Sequence, residues 1–402
     1  MKIVPDIRFK GFEDEWKLSE LGRLFIERIE NNPNAEMLSV TINDGIIKAS
    51  ENGRFDNSNS NKSKYKSVKK GDIAYNSMRM WQGASGVSNF EGIVSPAYTV
   101  LCPVSGVNSV FFSYLFKTID TIKKFRLHSQ GMTKDTWNLK YPALSKIAVE
   151  YPLEECQQLQ VASYLQNIDL QISKLVKRIV KLRQLKSACL ISMFPQQGET
   201  VPRIRFKGFN GEWKKKKLNS FSSRITRKNS KLETKLPVTI SALNGIIEQT
   251  MFFNNIVASS NLSGYYLMKK GEFAYNKSYS CGFPFGAVKR MDRYEMGALS
   301  NLYIVFKLED TVCDDYILYL FETSTWHKEV SMRASEGARN HGLLNIGAED
   351  FLDIDIWVPN DKAEQHQIAS YFRNLDIQIS EQEKRLEKLK QIKAACLDKM
   401  FV

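Results

Sequence analysis

Residues 158–194 of this chain are written a second time as residues 365–401, an offset of 207. Ala162-Ser163-Tyr164 returns as Ala369-Ser370-Tyr371, Gln171-Ile172-Ser173 as Gln378-Ile379-Ser380, and Met193-Phe194 as Met400-Phe401. Both stretches have a helical pattern. Leu165, Ile168, Ile172, Leu175, Ile179, Leu182 and Cys189 follow one alternating three-four spacing, and Phe372, Leu375, Ile379, Leu386, Leu389 and Cys396 repeat it at the same phase. A seven-residue period sustained over about four heptads is the pattern of a coiled-coil seam, not of an ordinary surface helix. Two such helices in one chain pack most simply on each other, which leaves Lys174, Lys177, Arg178 and Lys181 in water. Two unrelated amphipathic helices would not share both phase and non-seam residues.

The repeat reaches beyond the helices. Pro5 opens Ile7-Arg8-Phe9-Lys10-Gly11-Phe12 and then Glu15-Trp16-Lys17, while Pro202 opens Ile204-Arg205-Phe206-Lys207-Gly208-Phe209 and then Glu212-Trp213-Lys214. Val40-Thr41-Ile42 returns as Val238-Thr239-Ile240, and Gly45-Ile46-Ile47 as Gly245-Ile246-Ile247. Lys69-Lys70-Gly71 and Ala74-Tyr75-Asn76 return as Lys269-Lys270-Gly271 and Ala274-Tyr275-Asn276. One unit, a globular domain followed by a long helix, is therefore used twice. The boundaries read as 1–152 and 196–360 for the domains and 153–195 and 361–402 for the helices, with Pro195-Gln196-Gln197-Gly198 as stop and linker. Within the first domain, 40–42, 73–75, 98–101 and 147–151 are β-branched or aromatic runs bounded by turn residues and read as strands. Residues 110–124 read as one helix and 316–326 as its counterpart, so each domain is of the α+β class.

Composition narrows the function. The chain has 402 residues, 43% hydrophobic and 25% charged, as in a folded globular protein. The N-terminus, with Lys2, Asp6, Arg8 and Lys10, does not read as a secretory signal, and no apolar run approaches the roughly 20 residues of a membrane span. A cytoplasmic location is expected. The six cysteines form no CxxC pair and have no histidine at zinc spacing, so they are expected as small buried hydrophobes. The net charge of +13 is spread over both halves and points to a polyanion held along an extended surface. No phosphate loop, HExxH or matched catalytic set is present. Pro5-Asp6 with Glu15-Trp16-Lys17 imitates a nuclease metal site, but Arg203 replaces the aspartate in the second copy while its surroundings are kept. Phe9, Phe12 and Trp16 are expected instead to pin the domain entry against the core.

Between the matched frames lie loops that do not match. Residues 77–83 read Ser-Met-Arg-Met-Trp-Gln-Gly against Lys-Ser-Tyr-Ser-Cys-Gly-Phe at 277–283, and 130–137 read Gln-Gly-Met-Thr-Lys-Asp-Thr-Trp against Glu-Gly-Ala-Arg-Asn-His-Gly-Leu at 336–343. One scaffold with different loops presents different chemistry on the same face. With its full-length tandem of domain and helix, and the helix entries Gln157-Gln158 and Glu364-Gln365 after Pro152 and Pro359, the chain resembles the DNA-specificity subunit of Type I restriction–modification systems.

That resemblance implies two tandem target-recognition domains, each followed by a long helix, the helices pairing as an antiparallel coiled coil. It implies a non-catalytic subunit that binds double-stranded DNA at a bipartite, asymmetric site, one half per domain. Two modification (methyltransferase) subunits would dock on it, joined by restriction/translocase subunits. S-adenosylmethionine, ATP and Mg are expected on those partners and no cofactor on this chain. The expected base-reading residues are Arg79, Gln82, Gln130, Thr133 and Lys134 in the first domain, and Lys277, Tyr279, Arg339, Asn340 and His341 in the second. Arg and Lys suit guanine, and Asn and Gln suit adenine. Lys69, Lys70, Lys269 and Lys270 are expected to hold phosphates. The competing reading is a scaffold whose two arms bind proteins.

Overall fold

The computed structural model describes residues 4–41, 45–51, 61–133, 136–253, 261–334 and 344–402. The chain falls into two compact units, residues 1–177 with 383–402, and residues 178–382. Both unit boundaries lie inside the long helices, Glu155–Ser192 and Lys362–Lys399. Each unit thus holds one globular domain, the beginning of the helix that follows it and the end of the other helix.

In the first unit a four-stranded antiparallel sheet has the order Phe25–Glu27, Tyr98–Pro103, Ile73–Asn76, Ser85–Val87. Its counterpart in the second unit runs Ser222–Arg224, Ile304–Leu308, Phe273–Asn276, Ala287–Arg290. The second sheet of the second unit has the order Gly245–Glu248, Pro237–Ser241, Met296–Leu299, Tyr266–Lys269, with one parallel pairing. In the first unit the same layer is two antiparallel pairs, Leu38–Thr41 with Gly45–Lys48 and Lys66–Val68 with Gly92–Val94, joined by a parallel bridge, Met37–Ile93. A short pair closes each domain, Lys17–Glu20 with Ala148–Tyr151 and Lys214–Lys217 with Asp355–Val358.

Two helical expectations need correction. Residues 110–124 form two helices, Ser109–Leu115 and Ile119–His128, because Thr118 ends one and caps the other, its Oγ1 donating to Leu115 O and accepting from Thr121 N. The counterpart is likewise divided into Asp314–Leu320 and His327–Arg333, with Thr323 Oγ1 donating to Leu320 O where the first of these stops. Hydroxyl groups that bond the backbone locally compete with helix continuation. The cysteines also divide: Cys189, Cys313 and Cys396 are buried, Cys102 is intermediate, and Cys156 and Cys281 are exposed.

The helix ends complete the cores. Met400 and Phe401 pack with Trp16 and Phe111 in the first unit, and Met193 and Phe194 pack with Trp213 and Tyr316 in the second. Each domain is therefore finished by the helix that does not directly follow it. Burying a side chain of this size contributes about 1.5–3 kcal/mol, which explains why Met-Phe is kept in both copies. The entry segments dock there as well, Ile7 N to Lys399 O and Ile204 N to Ser192 O, each 2.9 Å. Phe9 and Phe206 meet Tyr164 and Tyr371 edge-on.

The seam is antiparallel. In the first unit Lys393 of the second helix meets Asp169 of the first at 2.5 Å, and in the second unit Lys186 meets Asp376 at 2.7 Å. A tyrosine of each domain joins: Tyr114 donates to Asp169 at 2.7 Å and Tyr319 to Asp376 at 2.9 Å. Each lysine also lies over its tyrosine ring. Burial pulls Lys186 toward neutrality, but Glu322 and Asp376 more than offset it and hold the ammonium charged. Cys189 faces Tyr371 at 3.3 Å, and Cys396 faces Tyr164. Leu165, Ile168, Leu175, Ile179, Phe372 and Leu375 are buried, whereas Lys174, Lys177, Arg178 and Lys181 are exposed.

The entry to each long helix is a polar clamp. Gln158 donates to Pro152 O and accepts from Asn108 N, and Gln365 does the same with Pro359 O and Cys313 N. The preceding residue differs. Glu364 accepts two bonds from Arg205, at 2.7 and 2.8 Å, and one from Trp213 Nε1 at 3.3 Å. In the first unit Gln157 stands there, and Trp16 Nε1 is buried without a partner among the described residues. Substituting Glu364→Gln is expected to destabilise the second unit by about 1.5–3 kcal/mol, the range for hydrogen bonds to charged groups. Gln157→Glu is expected to stabilise the first unit by giving Arg8 and Trp16 an acceptor. Hydrogen exchange resolved by unit, in parallel with denaturant unfolding, measures both.

Candidate nucleic-acid interface

The repeated Ala-Tyr-Asn triplets launch the loops that differ. Tyr75 and Tyr275 are fully buried, and the asparagine that follows each turns the chain: Asn76 Oδ1 accepts from Met78 N, and Asn276 Oδ1 from Ser278 N. Such a side chain builds a turn regardless of what comes next. In the first unit Met80 is buried and anchors a 3-10 turn over Met80–Gln82, which Gly83 closes in the left-handed region. Met78, Arg79 and Gln82 remain exposed.

The structure brings the second expected loop to the first. Gln130 and Asn138 exchange two backbone bonds, and Leu139 N donates to Ser77 O at 2.8 Å. Thr133 is held by Thr136 through its amide and hydroxyl. Trp81 and Trp137, one from each loop, meet edge-on with centroids 5.3 Å apart, and the Arg126 guanidinium lies over Trp81 and donates to its carbonyl. Arg79, Gln82, Gln130 and Thr133 thus belong to one edge of the first domain, all exposed. Lys134 lies outside the described residues. Trp81, Trp137 and Arg126 were not among the expected readers. The signal for the tryptophans was in the sequence, since both stand in unmatched loops, whereas Arg126 joins them only through the fold.

In the second unit Leu344 N donates to Lys277 O at 2.9 Å, the same closure as Leu139 to Ser77. Lys277 Nζ reaches Ile346 O at 3.4 Å, and Tyr279 is exposed. Arg339, Asn340 and His341 lie outside the described residues.

The paired lysines sit on a turn built around an acid. Asp72 accepts from Lys69 N at 2.7 Å and forms a two-pronged bond with Arg28 at 2.7 and 3.0 Å. Glu272 repeats this with Lys269 N and Arg227. The hydrogen bond with Asp72, more than its charge, strengthens the hold of Arg28 on its proton. Lys69 Nζ lies 3.4 Å from Glu30 and Lys270 Nζ 2.6 Å from Glu295, both exposed pairs, while Lys70 and Lys269 have no ion pair among the described residues. Among the described residues no group of three histidine, cysteine or acidic side chains could hold a metal ion, and no helix is long and apolar enough to cross a membrane.

No protein-family model matches the sequence, and no curated protein matches it. Solved structures do. The Type I restriction–modification S subunit from M. genitalium is 13% identical, with 100% of this chain and 99% of that one covered, at a TM-score of 0.60. The HsdS subunit from Thermoanaerobacter tengcongensis is 15% identical over 96% of each chain, at a TM-score of 0.47. A chain from a structure concerned with complex assembly and conformational transition of the type I R-M system is 14% identical over 96% and 97%, at 0.49. The first of these likenesses carries the conclusion that this chain has the fold of a Type I S subunit.

The acid-centred turn gives a direct prediction. Removing Asp72 takes the two-pronged acceptor from the half-buried Arg28, leaving it the 3.3 Å contact with exposed Glu30, and takes the acceptor of Lys69 N, so Asp72→Ala is expected to cost about 1.5–3 kcal/mol. Lys69→Ala, which removes only an exposed pair, is expected to change stability by no more than about 0.5 kcal/mol. Urea unfolding of the two variants checks the contrast.

Proposed function

We propose that the chain is the DNA-specificity subunit of a Type I restriction–modification complex, reading a bipartite and asymmetric duplex site with one domain per half. The observation that carries this reading is the pairing of unlike loops on like frames. The same asparagine turn and the same backbone closure present Arg79 and Gln82 in one unit and Lys277 and Tyr279 in the other. A protein that bound the same partner twice would have no use for that difference. The likeness over the full length to an S subunit supports it.

In this reading Arg79, Gln82, Gln130, Thr133 and Lys134 contact base edges in one half-site, and Lys277, Tyr279, Arg339, Asn340 and His341 in the other. Lys70 and Lys269 offer their ammonium groups to phosphates, and Lys69 and Lys270 exchange exposed carboxylates for them. The chain performs no reaction. Two modification subunits carry S-adenosylmethionine and methylate adenine at the chosen site, and restriction/translocase subunits use ATP and Mg.

Mapping methylated bases in cells with and without the gene locates the site. On a duplex carrying it, affinity is expected to fall steeply as salt rises, by the release of counterions from neutralised phosphates. A salt-independent interaction contradicts the proposal and favours protein-binding arms. Replacing Arg79 and Lys134 is expected to relax selection in one half-site by about 1–3 kcal/mol per lost contact and to leave the other intact. Equal relaxation of both halves would assign these residues to phosphates.

A further inference from the structure

The unmatched side chains of the second unit gather around a cleft of about 450 Å3. Ser278, Tyr279 and Ser280 of the loop after Asn276 line one part of it, and Phe252 and Phe253 of the short helix Gln249–Phe253 line another, together with Leu243. Leu243 is 84% exposed and Tyr279 56%. Phe252 and Phe253 are exposed as well, edge-to-face at 4.6 Å. Among the described residues that line the cleft there is no lysine, arginine, aspartate or glutamate. An exposed apolar patch of this kind marks a binding surface.

The repeat indicates what kind of surface it is. A partner that docks once on each unit would meet the same side chains twice. In the sequence, the residues 200 positions before Leu243, Phe252, Phe253 and Tyr279 are Asn43, Asn52, Gly53 and Arg79. The apolar set belongs to one copy alone. It therefore serves what differs between the copies, which under the DNA-specificity reading is the half-site.

We infer that this cleft reads thymine, receiving the C5-methyl group of one or more A·T pairs in the half-site of the second domain; the inference rests on the function proposed above. The chemistry of the walls selects among the groups a duplex displays. Phosphates require cations, and the O6 and N7 atoms of guanine are matched by arginine or lysine. Adenine is matched by an asparagine or glutamine amide, and the Oδ1 of Asn276 is already engaged by Ser278 N. The apolar group on a major-groove base edge is the thymine methyl, which aromatic and aliphatic side chains suit. The serine hydroxyls accommodate either neighbouring base edge.

The test uses the full chain and a fluorescent duplex carrying the mapped site, with the half-sites allotted to the domains by their response to Arg79→Ala. Deoxyuridine in place of thymine in the second domain's half-site removes only the methyl. It is expected to weaken binding by about fourfold per methyl read, from the transfer free energy of one such group. The same exchange in the other half-site is not expected to depend on this cleft. Phe252→Ala and Tyr279→Ser, both at exposed positions and checked by thermal unfolding, are expected to abolish the thymine-to-uracil difference in that half-site only. A half-site without thymine overturns the inference, as does equal affinity of the unaltered protein for thymine and uracil duplexes. Variants that keep the thymine preference but no longer assemble with the modification subunit would assign the patch to a protein partner and also overturn it. Failure of the unaltered protein to select any duplex strikes the DNA reading itself, a result distinguishable from loss of the methyl effect alone.

Discussion

Two salt bridges of the same design hold the long helices in register. Lys186 with Asp376 in one unit, and Lys393 with Asp169 in the other, join the end of one helix to the beginning of the other, and Tyr319 and Tyr114 tie the adjoining domain to the same carboxylates. A hydrophobic seam alone tolerates a slip of one heptad, because leucines and isoleucines are interchangeable across it. A charged pair at one position does not, since a slip would leave a lysine and an aspartate half-buried without partners. The same register seats Met193-Phe194 and Met400-Phe401 in the cores and anchors the entry segments at Ser192 and Lys399.

On this frame, function is a matter of what each copy places on its loops. Asn76 and Asn276 make the same turn whatever follows, so the residues beyond them are free to differ without cost to the fold. The first domain uses this freedom for Arg79, Gln82 and a tryptophan pair under Arg126, and the second for Tyr279 and a cleft whose described lining carries no charge. The lysine pairs, by contrast, are kept together with Asp72 and Glu272, whose bonds to Arg28 and Arg227 are structural.

The doubled helix, its seam and the α+β class of each domain were legible in the sequence because they rest on periodicity and on repetition, which survive without coordinates. The break of 110–124 at Thr118 was not, since its apolar spacing continues across a break that a hydroxyl group causes. Asp169 and Asp376 also escaped notice. Each is one polar residue on a helix rich in them, and only its partner a long way along the chain distinguishes it. The unlike loops were visible as a failure of the repeat, but that Trp81 meets Trp137, or that Phe252 and Tyr279 share a cleft, depends on closures such as Leu139 to Ser77 that join distant segments. Burial of Glu364 beside Arg205 and Trp213 explains the glutamate-glutamine entry of the second helix; in the first copy Gln157 stands at that position, and Trp16 Nε1 has no partner among the described residues.

If the helix pair sets the distance between half-sites, its length is the quantity to change. Inserting one heptad after Leu175 and a matching one after Gln382, the equivalent position in the second helix, keeps the seam phase and lengthens each helix by about 10 Å. Under the proposed function, methylation-site mapping of the complex rebuilt with the lengthened chain then reads the outcome. Unchanged half-sites separated by about three more base pairs, at about 3.4 Å per pair, are expected, with weaker occupancy because the added pairs also rotate one half-site against the other. Full activity at the original spacing would contradict this.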